Sequence, residues 1–220
     1  MKRKIVKFLE IEEVRKFEEP LLNNAKIALN DKKNNNKLTV VEKIAIRDFA
    51  VISLVYACAL RISEACNLKL NNINFDKLEL IVLDGKGGDR IVPIPQPTIK
   101  ILKEWLDIRP NWNGNDYFFV NVKGTTNPGK IRPLSPRYYE KLFEKLADLS
   151  GVTLKNGKKP HPHTLRHSRA MELYDNIQQL DVIQAILGHK NITTTQIYAQ
   201  VRSEKIQNVQ QSITEGLVSI

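Results

Sequence analysis

The chain has 220 residues, 42% of them apolar, enough for a substantial buried core, which excludes a disordered or fibrous chain. Against 24 Asp and Glu stand 34 Lys and Arg, and the resulting formal charge of +10 favours a polyanionic partner, nucleic acid or an anionic membrane surface, over an acidic one. The basic start Met1-Lys2-Arg3-Lys4 soon meets Lys7, Glu10, Glu12 and Glu13, and the longest apolar run, Phe49 to Leu60, is shorter than the about 20 residues a bilayer span needs, so neither a signal peptide nor a membrane helix is expected.

Residues 11 to 22 read as a short helix, and the polar run from Asn30 to Lys37 as an exposed loop. Thr39 with Glu42 three positions on is a capping box that opens a long helix through Val40, Ile44, Phe49, Ile52 and Val55, and Ser63 is the expected cap of the next. From Ile73 the period shortens. Ile73-Asn74-Phe75, Leu78 to Leu83 and Arg90 to Ile94 read as strands, and the last two are joined by a hairpin, Asp84 to Asp89, with Lys86 near its tip.

Helical spacing returns at Thr98 to Leu106, with Ile99, Leu102 and Leu106 on one face, and at Ser135 to Leu149, where Ser135 caps, Pro136 opens and Gly151 follows the end. The remainder reads as helices over Thr164 to Asn176 and Asp181 to Leu187, the latter stopped by Gly188, then a turn through Tyr198 and a last helix from Ser203. On that last helix Ile206, Val209, Ile213 and Leu217 form an apolar stripe that must dock in cis or in trans. The fold class expected is mainly α with a small antiparallel β-sheet (α+β), in one domain. Cys58 and Cys66 lie in apolar patterns without paired metal spacing, which fits a reducing cytoplasm rather than a disulfide framework.

Three clusters carry chemistry: Ala59-Leu60-Arg61-Ile62-Ser63-Glu64; Gly85-Lys86-Gly87; and His161-Pro162-His163-Thr164-Leu165-Arg166-His167, followed by Leu187-Gly188-His189 and Thr194 to Tyr198. Two arginines, a lysine, histidines and one tyrosine match phosphoryl transfer to a tyrosine oxygen. Guanidinium forks at Arg61 and Arg166 bind non-bridging phosphate oxygens bidentately and remain charged at any working pH. A phenol holds its proton with a pKa of about 10 and the leaving oxygen must gain one, so a base and an acid are needed. His163 suits the base and Lys86 the acid, while His189 would bond the phosphate or orient Tyr198; no metal or other cofactor is required. Each residue taken singly has an ordinary structural explanation, and it is their joint order and spacing that argue otherwise.

These stretches resemble the signature of the tyrosine recombinase or phage integrase family, which includes the Xer recombinases and the integrases of mobile elements. The match runs from the Phe8 to Val14 opening to beyond Tyr198 and rests on the Ala-Leu-Arg-Ile-Ser-Glu box, the Gly-Lys-Gly hairpin followed by Arg90-Ile91-Val92-Pro93, the His-x-Leu-Arg-His box, the Leu-Gly-His box and the Thr-Thr-x-x-Tyr ending. The resemblance implies that Arg61 and Arg166 clamp a scissile DNA phosphate, Lys86 protonates the leaving oxygen, His163 and His189 assist, and Tyr198 is the nucleophile of a 3'-phosphotyrosyl intermediate that needs no ATP. Glu64 and His167 are expected to support these groups from behind. It also implies a homotetramer on two double-stranded DNA sites, and a small helical DNA-binding domain in front of this one, for which the sequence has no room before residue 8. The loop at 30 to 37 looks like an insertion, and Arg169 stands where relatives often carry an apolar or aromatic residue. Further DNA contacts are expected from Arg132 and Arg137, around the start of a helix, and from Lys190.

Two other readings compete. A zinc enzyme would use the helical spacing of His163 and His167, with His161 and His189 beside them, but Thr164 stands where the zinc hydrolase motif places its glutamate. A non-catalytic DNA-binding relative would keep the basic surface without turnover.

Overall fold

The computed structural model of the chain describes residues 7–34, 36–83, 89–111, 116–123 and 133–188. This part holds a small sheet and seven α-helices. They are α1 (Ile11–Lys33), α2 (Val40–Ala57), α3 (Ile62–Cys66), α4 (Gln96–Ile108), α5 (Pro136–Ser150), α6 (Pro162–Ile177) and α7 (Leu180–Leu187). The strands β1 (Ile73–Asn74), β2 (Glu79–Val82) and β3 (Arg90–Pro93) pair antiparallel in the order β1-β2-β3, the last pair running from Glu79↔Pro93 to Val82↔Arg90. The expected class, mainly α with a small antiparallel sheet, is the observed one.

Helix α2 is the hub, packed against α1, α4 and α6. Its start follows the sequence signal: the Thr39 N–H donates to the Glu42 carboxylate at 2.6 Å, and the Glu42 N–H donates to Thr39 Oγ1. Around it Phe17, Trp105, Phe118, Phe119, Tyr139 and Phe143 are fully buried, with Phe17 against Phe143 and the indole N–H of Trp105 donating to the Phe118 carbonyl at 2.9 Å.

Four expectations change. The first helix does not end near residue 22 but runs to Lys33, because Leu21, Ala25 and Ala28 continue its buried face and Lys32 pairs with Glu104 and Asp107 beyond α4's midpoint. The first half of the expected 30 to 37 loop, up to Lys33, is therefore helix, capped at Asn34. The cap of α3 is Arg61, not Ser63, since the Glu64 carboxylate reaches back to the Arg61 N–H. On α4 the buried face passes through Trp105 and leaves Leu106 exposed, the larger indole taking the core position. Finally α6 begins at Pro162, two residues before the expected start, with the His161 N–H donating to Thr164 Oγ1 at 3.1 Å.

The C-terminal helices close over a separate apolar cluster of Ala59, Ala170, Met171, Ile183 and Leu187. Ala59 has a left-handed backbone, φ 49°, which turns the chain between α2 and α3 and aims its carbonyl at α6. Helix α7 ends at Gly188 with φ 64°, the stop that the glycine announced.

A basic site built on one buried carboxylate

Arg61 and Arg166, distant in sequence, are brought together by Glu64. Arg61 donates from Nη1 to Glu64 Oε1 at 2.7 Å, and its backbone N–H takes Glu64 Oε2 at the same distance. Arg166 Nη1 lies 3.7 Å from Glu64 Oε2 and donates to the Ala59 carbonyl at 2.8 Å. Its Nη2 donates to the Leu187 carbonyl at the end of α7. The two guanidiniums differ in access: the Arg61 side chain is 35% exposed and that of Arg166 5%.

A third guanidinium shares the carboxylate, and sequence reasoning passed over it. Arg90, the first residue of β3, grips both Glu64 oxygens, Nη1 to Oε1 at 3.1 Å and Nη2 to Oε2 at 2.9 Å. Its signal was the alternation of the strand, which turns Arg90 and Val92 inward and Ile91 outward, so that a charged residue occupies a core-facing position. Burial raises the Glu64 pKa, but hydrogen bonds from Arg90 and the Arg61 backbone, with the charges of Arg90 and Arg166, outweigh it and hold the carboxyl below its ordinary value.

His163 sits in the first turn of α6, one turn before Arg166, with its ring exposed to solvent on one side. Desolvation of its other side, then the charges of Arg166 and Arg61, lower its pKa below the usual histidine value, with Glu64 opposing. At neutral pH the ring is thus an acceptor. His161 stacks edge-on against it, 6.2 Å between centroids, and His167 lies one turn further along the helix, half-buried. Among the described residues no three His, Cys, Asp or Glu side chains gather so as to hold a metal ion.

Arg137 is exposed in the first turn of α5. That helix start is fixed by a buried network: Arg47 donates to Asp48 Oδ1 at 2.7 and 2.9 Å, and Tyr138 and Tyr139 both donate to the Asp48 carboxylate. Arg169, the departure noted in the sequence, pairs with Glu172 at 2.6 Å and lies over the Tyr56 ring. Lys86, His189 and Tyr198, with the DNA-contact candidates Arg132 and Lys190 and the helix expected from residue 203, lie outside the described residues.

The model of the phage integrase family matches residues 26–205. Tyrosine recombinase XerA of Pyrococcus furiosus is 34% identical over 180 residues, 81% of this chain and 59% of that protein. A crystal structure of XerA recombinase superposes with a TM-score of 0.66 at 26% identity, covering 91% of this chain and 64% of that one. The XerH site-specific recombinase bound to difH substrate, a pre-cleavage complex, gives 0.69 at 26% identity, over 90% of this chain and 51% of that one. The chain thus spans between half and two thirds of the length of these relatives. With the three arginines on one carboxylate and a histidine beside them, these matches establish that the chain belongs to the phage integrase family of tyrosine recombinases.

Proposed function

We propose that the chain is the catalytic domain of a site-specific recombinase that cleaves and rejoins double-stranded DNA. The observation that carries this reading is the pair of guanidiniums, Arg61 and Arg166, organised on a single buried carboxylate next to a solvent-facing, neutral His163. A doubly basic cluster with an adjacent proton acceptor suits a phosphodiester whose non-bridging oxygens gain charge during attack.

The chemistry balances with this chain's residues. The Tyr198 phenol gives its proton to His163, and its oxygen attacks phosphorus. The P–O5' bond breaks, Lys86 supplies a proton to the departing 5' oxygen, and a 3'-phosphotyrosyl ester remains while Arg61, Arg166 and His189 hold the phosphate oxygens. Reversal by a 5'-hydroxyl rejoins a strand without ATP, since the ester keeps the bond energy.

Arg137, with Arg132 and Lys190, would contact flanking phosphates, and Glu64 and His167 would hold the reacting groups from behind. A homotetramer on two sites, its C-terminal stripe docked in cis or on a neighbour, and a separate N-terminal DNA-binding domain complete the proposal. Among the described residues no helix is long and apolar enough to cross a membrane. Cys58 and Cys66 are buried and unpaired, which supports the reducing cytoplasm as the compartment.

The test uses duplexes selected from a random pool for tight binding, each nicked near the centre so that cleavage releases a short strand and traps the ester. A covalent protein–DNA complex that forms without metal or ATP and is absent in Tyr198→Phe is the expected result. Tight binding with no covalent complex on any selected duplex would overturn the reading in favour of a DNA-binding module without turnover.

A further inference from the structure

We propose that Arg90 is a positioning residue of the active site, the clamp that locks the end of α7 and the start of β3 to the carboxylate carrying both phosphate-binding arginines. The inference rests on the recombinase reading for its catalytic consequence, and on geometry alone for the clamp itself.

Each nitrogen of the Arg90 side chain makes a hydrogen bond. Both terminal nitrogens hold Glu64, and Nε donates to the Ile186 carbonyl at 3.0 Å. Arg166 takes the next carbonyl, that of Leu187. Two guanidiniums therefore cap successive carbonyls at the C-terminus of α7, where helical carbonyls lack intrahelical donors and the dipole favours cations. The Arg90 stem lies so close to Gly188 that a Cβ there would fall 2.9 Å from Arg90 Cδ. One planar side chain thus joins β3, α3 and α7.

Charge gives the second part of the argument. Glu64 is a carboxylate that Arg61, Arg90 and Arg166 share. By holding both of its oxygens, Arg90 fixes the carboxylate in the position from which it orients Arg61 and Arg166. Without it the carboxylate loses that fixed position, and the two arginines that it carries shift with it. Lysine keeps the charge but cannot hold two carboxylate oxygens and a carbonyl in one plane, so it restores only part of the function.

Two measurements on folded Arg90→Met and Arg90→Lys proteins decide the matter. In hydrogen exchange, Arg90→Met should lose protection at the end of α7 and in the 59–64 turn by about tenfold or more while α1, α2 and α5 keep theirs, a local opening. In single-turnover cleavage of the selected duplex, Arg90→Met should slow the chemical step by about 10- to 100-fold with DNA affinity within about threefold, as for a misplacement of about 1 Å, and Arg90→Lys should fall between. Adding Glu64→Gln to Arg90→Met should cost less than the sum of the single effects.

Uniform loss of protection across all helices, or cleavage at the wild-type rate in Arg90→Met, overturns the proposal. Should wild-type protein form no covalent complex, the recombinase reading fails by itself, and the exchange pattern still decides whether Arg90 is the clamp.

Discussion

Arg90 and Gly188 touch where a side chain on the glycine would have to stand: the position of its Cβ falls 2.9 to 3.1 Å from three atoms of the arginine. The glycine is also left-handed, φ 64°. Two independent demands meet at one residue, one from the helix ending and one from the arginine it faces. Gly188→Ala should therefore cost more than an ordinary helix-ending glycine, about 2–3 kcal/mol in urea unfolding, against about 1 kcal/mol for the backbone conformation alone. The matching control is Gly151→Ala, at φ 67° with nothing within 4 Å of its Cβ position, which should show only the smaller effect. Equal losses in the two variants would mean that Arg90 yields freely.

Glu64 is the carboxylate on which the basic cluster depends, and its substitution separates charge from shape. Glu64→Gln leaves three buried or half-buried guanidiniums facing one another, a loss of about 3–5 kcal/mol in the free protein. The pH dependence follows from the sign of its shift. A carboxyl held below its ordinary value in the folded state contributes stability that is complete above the unfolded value, about 4.3, and is lost as pH falls through the lower folded value. The difference between wild type and Glu64→Gln, measured by urea unfolding at several pH values, should be full at pH 6 to 7 and shrink toward pH 2 to 3. A difference independent of pH would show that the carboxylate charge is not what the cluster uses.

Local signals in the sequence were the most legible. The Thr39 capping box, Pro136 and Gly151 around α5, and Gly188 after α7 mark real helix ends, because caps are decided by a few adjacent residues. The long course of α1 was hidden because Asn and Lys dominate its last turns. What holds Lys32 in a helix is Glu104 and Asp107, and no window around residue 32 contains them. The same limit applies at the site. Arg61, His163 and Arg166 could be chosen by chemistry, and the structure brings them together, whereas Arg90, though it opens the Arg90–Pro93 motif, has nothing local that shows its partners, Glu64 and the carbonyl of Ile186.

Glu18 gives a prediction of opposite sign to Glu64. On α1 its Oε1 is buried without a hydrogen-bond partner among the described residues, and burial raises its pKa to about 7. A carboxyl whose folded pKa exceeds its unfolded value favours folding while protonated, and that advantage disappears as pH rises from about 4.3 through about 7. Glu18→Gln should therefore match wild type near pH 4 and exceed it by roughly 1–3 kcal/mol at pH 8, read from urea unfolding curves. A variant less stable than wild type at pH 8 would mean that the carboxylate finds a partner there.

His163 supplies the pH signature of the proposed chemistry. Its pKa lies below the usual histidine value because one side of the ring is desolvated and because Arg166 and Arg61 repel a second positive charge. If the neutral ring accepts the Tyr198 proton, the second-order cleavage rate of the free protein on DNA falls as the ring protonates. The acid limb should then lie below pH about 6.5, the reference value, rather than at it. His163→Gln should slow cleavage by about 10²–10⁴-fold and flatten that limb, leaving DNA affinity within a few-fold. Because the Arg61 charge contributes to the shift, Arg61→Gln should move the limb upward in pH even as it slows the reaction. A limb that stays in place in His163→Gln would assign the base to another group.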